Sequence, residues 1–520
     1  MEVVDNTALR FRVRDPGKFK IIPKHHVTPV QGGYEVMVYW GLDEARVLKN
    51  LGFKDIPSPI ERKYNWPGRY KPMAHQKVTA GFLTMHRRAF VFNDPGTAKT
   101  ISSLWAADYL MNRGEIRRVL IICPLSIMHS AWMGDINNSI IHRSAIVAHH
   151  AQASRRAEMV RGNYEFVIIN YDGLNLVADD IIADGRFDLI IVDEANAYAL
   201  PTTKRWKTLA KILHPDTFLW MMTGTPAAQS PVNAYGLAKL VNPSAVPNYL
   251  TAWRDKVMNK ITMFKWAPKP NAKDLVFNAL QPAIRFSKKD CLDLPPVLKT
   301  TREVPLTPMQ QKYYDKIKNE MLVVAAGQVI SAVNKAAVVN KLLQISCGGV
   351  YSEDGEVVVF DASPRMKLLS EILDETDRKV IIFATYRSSI SAIEEYLTKA
   401  GYNVGVIHGG VSAGHRGDLI NRFQNTLTPQ VMVMQAQATA HGITLTAADT
   451  VVFFGPLMSV ELYTQAIARA DRKGQTSDKV TVIHIESSPI EKKMFKAMDA
   501  RVNDHTLLTE MFDEELGINK

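Results

Sequence analysis

A stretch near the C-terminal end of the chain, residues 465–475, reads QAIARADRKGQ and carries closely spaced anion-binding side chains. Gln465, Arg469 and Arg472 are spaced i, i+4 and i+7, which predicts one helix face bearing a glutamine and two guanidinium groups. Gly474 is placed to end that helix. Because arginine binds phosphate oxygens through a planar fork and keeps its proton, this face is predicted to meet a concentrated negative charge such as a nucleotide triphosphate.

A second candidate anion site is residues 93–100, NDPGTAKT, between the apolar stretch RAFVF and the predicted helix ISSLWAADYL. A strand, a loop and a helix in this order are typical of a Walker A element, whose backbone amides hold phosphates. Lys99 would contact the β- and γ-phosphates and Thr100 would hold magnesium. Ala98 stands where glycine is usual, and a chance AKT tripeptide in a helix cap is the alternative. The other loop residues predicted to line the nucleotide are Pro95, Gly96 and Thr97.

Adjacent carboxylates, Asp193 and Glu194, follow the apolar stretch LIIV. Carboxylates at the C-terminal edge of a buried parallel strand lie where open α/β sheets bind ligands. Asp193 is predicted to support the magnesium and Glu194 to orient the attacking water, with a strand end that simply turns polar as the alternative. The stretch Thr223–Pro226, TGTP, could couple such a site to movement of another domain, and a plain β-turn explains it nearly as well.

Two series of short apolar segments are predicted to position these residues. Nearly every residue in a segment is apolar, rather than every second one, which is typical of strands buried on both faces of a parallel sheet. Two series therefore predict two α/β domains. The segments of the first series are 88–94, 119–124, 166–171, 189–194 and 218–225, and those of the second are 380–386, 404–410, 431–436, 451–456 and 480–486.

The predicted fold class is α/β, with two tandem parallel-sheet lobes and a small N-terminal α+β domain. The irregular, proline-containing stretch 241–300 ends in LDLPP, and the domain boundary is predicted there. We expect domains at 1–62, 63–296 and 297–520. In the first, FRVRD, FKIIPKHH and EVMVYW predict strands and GLDEARVLKNLGF a short helix, with a DNA or protein partner as its expected ligand.

The composition limits the class of protein. The chain has 520 residues, 46% of them hydrophobic, and is expected to be globular with two or three domains. Lysine and arginine number 63 against 52 acidic residues, and the net charge of +11 permits a polyanionic partner. Three scattered cysteines without a CxxC pair argue against a zinc site or a disulfide framework. No apolar stretch approaches the roughly 18 residues of a membrane span, and a signal-peptide layout is missing, so we expect a cytoplasmic protein that does not associate with membranes.

The motifs occur in the order HQ, GTAKT, DEAN, TGTP, GITLTAADTVV and QAIARADRKGQ. In this order the chain resembles the Swi/Snf (Snf-two) family of superfamily 2 helicase-like DNA translocases, from about Pro72 to about Met498. The final segment, which fits the family pattern QAxxRxxRxGQ, is the most specific match. The resemblance implies two RecA-like lobes, and the compact form is more typical of bacterial or viral members.

The resemblance also implies roles for individual residues. Gln76 matches the glutamine that reads adenine, and Gly442 matches a glycine near the nucleotide. Arg469 and Arg472 match the second-lobe arginines, one of them acting as an arginine finger, and Gln465 matches the glutamine that starts that motif.

The chain departs from the family pattern at Ala98, at Asn196 and at Thr444, where glycine, histidine and asparagine are usual. The run QAQATA also replaces the family's usual Ser-Thr-Arg-Ala-Gly-Gly. Family members contact the DNA backbone mainly through loops of both lobes. The basic segment 253–273, which contains several aromatic residues, could touch a DNA strand or pack its aromatic side on the first lobe. The candidate DNA contacts are Ser126, Asn170, Tyr171, Thr385 and Tyr386.

Together with these motifs, the resemblance implies a DNA-dependent ATPase that uses ATP and Mg²⁺ and translocates on double-stranded DNA, coupling ATP hydrolysis at the cleft between the two lobes to remodelling of protein–DNA complexes or branched DNA. A monomer is expected, with double-stranded or branched DNA as partner and a protein partner for the N-terminal residues. A strand-separating DNA or RNA helicase is one alternative. Another is a nucleotide-regulated DNA-binding or inhibitor module with little turnover, which the departures at Ala98, Asn196 and Thr444 keep open.

Overall fold

The N-terminal residues form a small antiparallel sheet, because apolar and polar residues alternate along its strands. It consists of β1 (Glu2–Val4), β2 (Ala8–Val13), β3 (His25–Val30) and β4 (Gly33–Tyr39), and helix α1 (Leu42–Asn50) follows. In the computed structural model the strand order is β1-β2-β4-β3. Leu9 and Phe11 share a buried face with Val36 and Val38, and Leu48 of α1 packs against it. The predicted small α+β domain is therefore confirmed.

Local expectations for this sheet are partly wrong. The residues FKI lie in a 3-10 turn, Gly17–Ile21, rather than in a strand. This turn lies between Pro16 and Pro23, whose fixed φ angle and missing N–H disfavour a sheet ladder. The last two residues of the predicted strand FKIIPKHH, His25 and His26, do lie in a strand, β3.

The structure describes residues 1–224, 226–227, 230–262, 266–287, 291, 295–327, 332–351, 356–439, 443–472 and 474–500. The chain divides into two compact units, Met1–Cys291 and Leu292–Lys520.

The first unit contains a seven-stranded parallel sheet in the order β13-β5-β10-β9-β6-β8-β7. Its strands are β5 (Arg88–Val91), β6 (Val119–Cys123), β7 (Ala145–Val147), β8 (Phe166–Asn170), β9 (Leu189–Asp193), β10 (Phe218–Met222) and β13 (Ala283–Ile284), and a separate hairpin pairs β11 (Met258–Lys260) with β12 (Trp266–Pro268). Every residue of β6, β9 and β10 is buried, as expected for central strands covered on both faces.

Helices cover this sheet and connect its strands. Two buried apolar clusters lie on opposite faces, one centred on Trp105, Trp132 and Trp220 and the other on Phe90, Tyr198 and Trp253. The helices are α2 (Ile60–Lys63), α3 (Ala74–Thr84), α4 (Lys99–Asn112), α5 (Gly134–Ser139), α6 (Ala153–Arg161), α7 (Tyr171–Leu176), α8 (Ala178–Asp184), α9 (Lys204–Ile212), α10 (Ala234–Val241), α11 (Leu250–Val257) and α12 (Ala272–Ala279).

The second unit contains a six-stranded parallel sheet in the order β14-β21-β20-β17-β19-β18. The strands are β14 (Val297–Glu303), β17 (Lys379–Phe383), β18 (Val404–Ile407), β19 (Val431–Met434), β20 (Ala448–Phe453) and β21 (Val480–Glu486), and a hairpin pairs β15 (Gly349–Tyr351) with β16 (Val357–Val359). Its helices are α13 (Pro308–Gly327), α14 (Ala332–Ser346), α15 (Ser363–Asp374), α16 (Arg387–Lys399), α17 (Ala413–Asn425), α18 (Ala436–Thr439), α19 (Val460–Ala470) and α20 (Pro489–Asp499).

The prediction of two parallel-sheet lobes is confirmed, since each predicted apolar segment forms a strand of one of the two sheets. The sequence prediction missed β7, β13 and β14. The first two are very short, and β14 reads VLKTTRE and is mostly exposed at the sheet edge, so it lacks the continuous apolar pattern of a central strand. Among the described residues, no helix combines the length and apolar character needed to cross a membrane.

Candidate nucleotide-binding and hydrolysis site

The phosphate loop between β5 and α4 contains left-handed backbone at Gly96 and Ala98. Gly96 has a φ of +88° and Ala98 a φ of +56°. Glycine adopts this region without steric cost, whereas the Cβ of another residue costs about 1–2 kcal/mol. Ala98 therefore keeps the turn that a glycine usually supplies, and Lys99 begins α4 directly after it. Strand, curled loop and helix follow one another as the sequence predicts.

Hydrogen bonds within the first unit hold the loop in shape. Lys99 Nζ donates to Asn93 O at 2.8 Å, and Thr97 Oγ1 donates to Asp94 O at 2.8 Å. The Nε2 atom of His75, a buried residue of α3, lies 3.0 Å from Thr97 O. The lysine that is predicted to bind phosphate is thus oriented back along the loop.

Helix α3 also brings Gln76 to this loop. Gln76 is buried, its Nε2 lies 3.5 Å from Ala98 O, and its Oε1 accepts from Met73 N at 2.9 Å. The structure therefore brings Gln76, Ala98 and Lys99 together. The role of Gln76 in reading adenine stays a prediction.

The acidic pair lies one strand away from the phosphate loop, because β10 separates β5 from β9 in the sheet. Asp193 is the last residue of β9, and Lys99 lies near enough to lower its pKa. Glu194 follows in a left-handed conformation with a φ of +47°. The order of strands in the sheet therefore brings Lys99 near Asp193, although the two residues are about a hundred positions apart in sequence.

Asp193 is a buried carboxylate with specific donors. Its Oδ1 accepts from Glu194 N at 3.0 Å, and its Oδ2 accepts from Trp132 Nε1 at 3.1 Å. Burial, and then the neighbouring Glu194 carboxylate, raise the pKa of Asp193 to about 6, although Lys99 and these hydrogen bonds favour the charged form. A perturbed carboxyl group beside a lysine and a phosphate loop is typical of a functional site.

The TGTP stretch closes the other side of the loop. Thr223 N donates to Val91 O at 3.0 Å, and a Cβ built on Gly224 would lie 2.9 Å from Pro95 Cδ. Only a residue without a side chain allows this approach, so the end of β10 packs directly against the phosphate loop. Thr225 lies outside the described residues.

The residues present fit a nucleotide with a divalent cation. The curled loop at a helix N-terminus and the Lys99 ammonium suit phosphate oxygens. The hydroxyl of Thr100 and the carboxylate of Asp193 are the oxygen ligands that Mg²⁺ prefers, and Glu194 stands next to them at the strand end. When bound, Mg²⁺ would neutralise charge that develops on the phosphates.

In the second unit, α19 ends earlier than the spacing of its residues predicts. The helix ends at Ala470 and Asp471 leaves it with a ψ of 78°, so Arg472 is not on the same helix face as Arg469. Gly474 has a φ of +100° in the turn that follows, and it does not end the helix. The predicted continuous helix through Arg472 is therefore wrong, because Asp471 interrupts it.

Arg469 and Arg472 nevertheless converge on one atom. Arg469 Nη1 donates to Ile443 O at 3.2 Å, and Arg472 Nη1 donates to the same oxygen at 3.3 Å. Arg469 O accepts in turn from Leu445 N at 2.9 Å. The two guanidinium groups thus meet at one carbonyl oxygen although the helix ends before Arg472.

The glutamines of this motif have internal partners. Gln475 Nε2 donates to Ala448 O at 2.8 Å and to Ala470 O at 3.0 Å, so Gln475 organises the turn. Gln465 is buried on α19, with its Nε2 lying 3.4 Å from Glu461 Oε1. Gly442, which the sequence predicts near the nucleotide, lies outside the described residues.

The candidate DNA contacts of the first unit lie after β6 and β8. Ser126 is in the short turn Leu125–Ile127, and its side chain is outside the described part of the structure. Asn170 Oδ1 lies 3.4 Å from Arg156 Nη1. Tyr171 points inward, and its hydroxyl donates to Asp193 O at 2.7 Å. Its expected contact with DNA stays a prediction, whereas its contact with the acidic strand end was not foreseen.

The candidate DNA contacts of the second unit also have internal partners. Thr385 Oγ1 donates to Pro456 O at 3.1 Å, and Tyr386 OH donates to Asn340 Oδ1 at 2.8 Å. Burial raises the pKa of Tyr386 well above its ordinary value, so its hydroxyl stays protonated. Contact of these residues with DNA stays a prediction.

The first residue of the segment 253–273, Trp253, packs into the core of the first unit. Trp253 is 1% exposed and its Nε1 donates to Pro231 O at 3.2 Å. The guanidinium of Arg254, in α11, lies 4.5 Å from the ring centre of Trp266 in β12. Residues 263–265 are outside the described part of this segment.

The sequence prediction assigned no role to three side chains of the first-unit site: His75, Asn93 and Trp132. Asn93 has no exposed surface, and it joins the loop to Thr79 Oγ1 and to Phe286 N, each at 3.0 Å. Asn93 stands at the strand end and could have been proposed from that position. In the sequence Trp132 looks like an ordinary apolar residue, because its partner Asp193 lies 61 positions further along the chain.

Comparison with known proteins agrees with this geometry. The SNF2-related domain matches residues 75–347, more than half of the 520 residues, and the helicase conserved C-terminal domain matches residues 364–474. An uncharacterized ATP-dependent helicase of Mycoplasma pneumoniae is 24% identical over 412 residues, which are 77% of this chain and 38% of that protein. The SWI/SNF-related matrix-associated actin-dependent regulator of chromatin subfamily A-like protein 1 of Drosophila melanogaster is 23% identical over 392 residues, which are 75% of this chain and 49% of that protein.

The chain thus spans less than half of the length of these relatives. The Sulfolobus solfataricus SWI2/SNF2 ATPase core, solved in complex with dsDNA, is 20% identical with a TM-score of 0.42, covering 87% of this chain and 95% of that chain. The two domain matches confirm the resemblance that the motifs predict. The chain belongs to the SNF2-related family of helicase-like ATPases.

Proposed function

We propose that the protein is a DNA-stimulated ATPase that translocates on double-stranded DNA and remodels protein–DNA complexes or branched DNA. The observation that carries the proposal is the proximity of Lys99 to the buried carboxylate of Asp193, whose pKa the lysine lowers. Lys99 begins α4 directly after the curled phosphate loop, and Asp193 ends β9. A phosphate-binding loop, a lysine ammonium group and acidic residues in one place suit phosphoryl transfer from a nucleotide to water.

Within the first unit each residue has a defined task. The loop 95–98 and Lys99 would hold the phosphates, while Thr100 and Asp193 would hold the magnesium ion. Glu194 would orient the attacking water and polarise it. Because Asp193 is buried beside the loop, its negative charge acts where water is largely excluded and electrostatic effects are strong.

The second unit would supply the arginines. We propose that Arg469 and Arg472 exchange Ile443 O for phosphate oxygens when the two lobes close on ATP. A charge-assisted bond from guanidinium to phosphate is stronger than a bond to a neutral carbonyl, so the exchange favours closure. Hydrolysis removes the stabilising contact and releases the lobes, and repeated closure and release would move the protein along DNA.

DNA is proposed as the track because of family membership and charge. The net charge of +11 favours a polyanion, and contacts to phosphates hold position without reading bases, which suits movement along any sequence.

ATPase measurements with a panel of nucleic acids test the proposal. We expect duplex or branched DNA to raise turnover more than single strands or RNA do, and Lys99→Ala to reduce turnover by at least about 100-fold. Lys211→Ala is the matched control, because Lys211 is highly exposed and forms an ion pair with Asp179 on the protein surface. No stimulation by any DNA, together with unchanged activity in Lys99→Ala, would show that the proposal is wrong.

A second assay separates translocation from strand separation. A translocating enzyme displaces the third strand of a triplex and leaves the duplex intact, whereas a helicase releases a labelled strand of the duplex itself. Strand release from duplex DNA or RNA would replace translocation with the helicase alternative. Arg469→Ala and Arg472→Ala, assayed separately for ATP binding and turnover, would divide the arginine roles.

A further inference from the structure

Trp132 contacts Asp193, at the end of β9, from the segment that follows β6. It lies in the π-helical turn Met128–Met133, which follows β6 and the short turn at Leu125–Ile127. Its indole has no exposed surface, and Nε1 donates to Asp193 Oδ2 at 3.1 Å. A π-helical turn is uncommon and is found frequently at functional sites. The orientation of the Asp193 carboxylate therefore depends on the position of this turn.

Tyr171 holds the same strand end through its backbone. The Tyr171 hydroxyl donates to Asp193 O at 2.7 Å and lies 3.3 Å from Glu194 O. Glu194 has a φ of +47°, a conformation that costs a non-glycine residue energy and persists only where its surroundings hold it. Burial raises the pKa of Tyr171 well above its ordinary value, so the hydroxyl stays a donor.

Both aromatic residues come from segments that are candidates to face nucleic acid. Trp132 follows Ser126 after β6, and Tyr171 follows Asn170 after β8. β6 lies between β8 and β9 in the sheet, so both segments emerge on the same edge as Asp193. A shift of either segment must therefore change the geometry at the acidic pair.

We propose that Trp132 and Tyr171 are positioning residues that convert engagement of a DNA backbone by the segments after β6 and β8 into alignment of Asp193 and Glu194. This inference rests on the proposed function and explains how DNA would stimulate hydrolysis. Hydrogen bonds are directional, and a misplacement of about 1 Å at a reacting centre can cost roughly 100-fold in rate.

Trp132→Phe removes the indole donor and keeps an aromatic ring, and Trp220→Phe is its matched control. Trp220 is also fully buried in the same apolar cluster, and its Nε1 donates to His86 O at 3.2 Å, away from the acidic pair. We expect Trp132→Phe to lower DNA-saturated kcat by about tenfold, with KM for ATP and the half-saturating DNA concentration changed by less than about twofold. Trp220→Phe should lose similar thermal stability and keep kcat within about twofold of wild type.

Tyr171→Phe provides an independent variant if Trp132→Phe does not fold. Its control is Tyr235→Phe, because the Tyr235 hydroxyl donates to Asn248 O at 2.7 Å in the same unit. We expect kcat to fall about tenfold in Tyr171→Phe but not in Tyr235→Phe, again without a matching change in DNA affinity. A loss of DNA affinity with kcat intact would overturn the inference and restore Tyr171 as a direct DNA contact.

The outcomes separate this inference from the proposed function. If wild-type protein is stimulated by DNA and each variant loses kcat no more than its control, the positioning role is wrong while the proposed function stands. If DNA does not stimulate the wild type, both are overturned. A selective loss of stimulated kcat in Trp132→Phe and Tyr171→Phe supports the inference.

Discussion

Asp193 in the first unit and Glu491 in the second are both buried carboxylates, yet they are stabilised very differently. Glu491 has no exposed surface and accepts from Arg365 Nη2 at 2.8 Å on each oxygen. Ser487 N and Ser488 N donate to it at 2.7 and 3.1 Å. Asp193 accepts from the Glu194 N–H and the Trp132 indole, and its pKa is raised to about 6.

The difference distinguishes a structural carboxylate from a functional one. Arg365 and Glu491 form a bidentate pair that joins α15 to α20, and Arg365 also donates to Phe454 O at the end of β20. Those contacts serve the fold. The carboxylate of Asp193 is destabilised by burial and by Glu194, and such a charge is typical of a site that binds a cation.

The largest expected effect is on the structural pair. Arg365→Ala should lower the free energy of unfolding of the second unit by about 3–5 kcal/mol, because it leaves the Glu491 charge buried without its partner. Hydrogen exchange of the β20 and β21 amides measures this loss. Arg378→Ala is the control, since Arg378 lies 3.8 Å from Asp449 at a partly exposed position and such pairs contribute about 0–1 kcal/mol. Equal effects of the two variants would contradict the structural role of the pair.

Asp193→Asn should have the opposite sign on stability. Removing the buried charge should stabilise the first unit by on the order of 2 kcal/mol at pH 8 without magnesium, while turnover falls by at least about 100-fold. Hydrogen exchange of the β9 and β10 amides and an ATPase assay measure the two effects. Glu491→Gln, treated in the same way, should destabilise its unit, and a stabilising effect there would remove the distinction between the two carboxylates.

The stability difference between wild type and Asp193→Asn should depend on pH. The pKa of Asp193 is raised from 3.8 to about 6. The folded unit therefore binds this proton more tightly than the unfolded chain does, and the carboxylate destabilises the fold fully above the folded pKa. We expect the difference to shrink as pH falls through about 6 and to vanish near pH 4. Melting curves in EDTA across this range measure it, and a constant difference would show that the charge is not its cause.

The smallest expected effect concerns the phosphate loop beside Asp193. Ala98→Gly relieves left-handed strain of about 1–2 kcal/mol, but glycine costs about 0.4–1 kcal/mol through the unfolded chain. The net change in the free energy of unfolding should therefore be a stabilisation of about 0–1.6 kcal/mol, with ATP turnover changed by less than about threefold. Thermal melting and steady-state kinetics measure the two quantities. A much larger change in turnover would mean that the Ala98 methyl group itself shapes the site.

Much of this architecture could be predicted from local sequence. Continuous apolar segments such as LIIV and VMVM predict buried parallel strands because alternating residues face opposite layers of helices. Lys99 and Asp193 were foreseen because each follows such a strand in a recognisable motif. Edge strand β14 was missed because most of its residues are polar. The end of α19 was misplaced because the spacing of Arg469 and Arg472 fits a helix that Asp471 interrupts.

The amino-acid sequence by itself determined the two parallel sheets, the phosphate loop and the acidic pair, because these depend on hydrophobic period and on residue types at strand ends. Tertiary structure alone decided that Trp132 and Tyr171 hold the acidic pair and that Arg469 and Arg472 share Ile443 O. Those contacts join residues of different strands and loops. Crossover connections and a local bend create them, and no periodicity along the chain records either one.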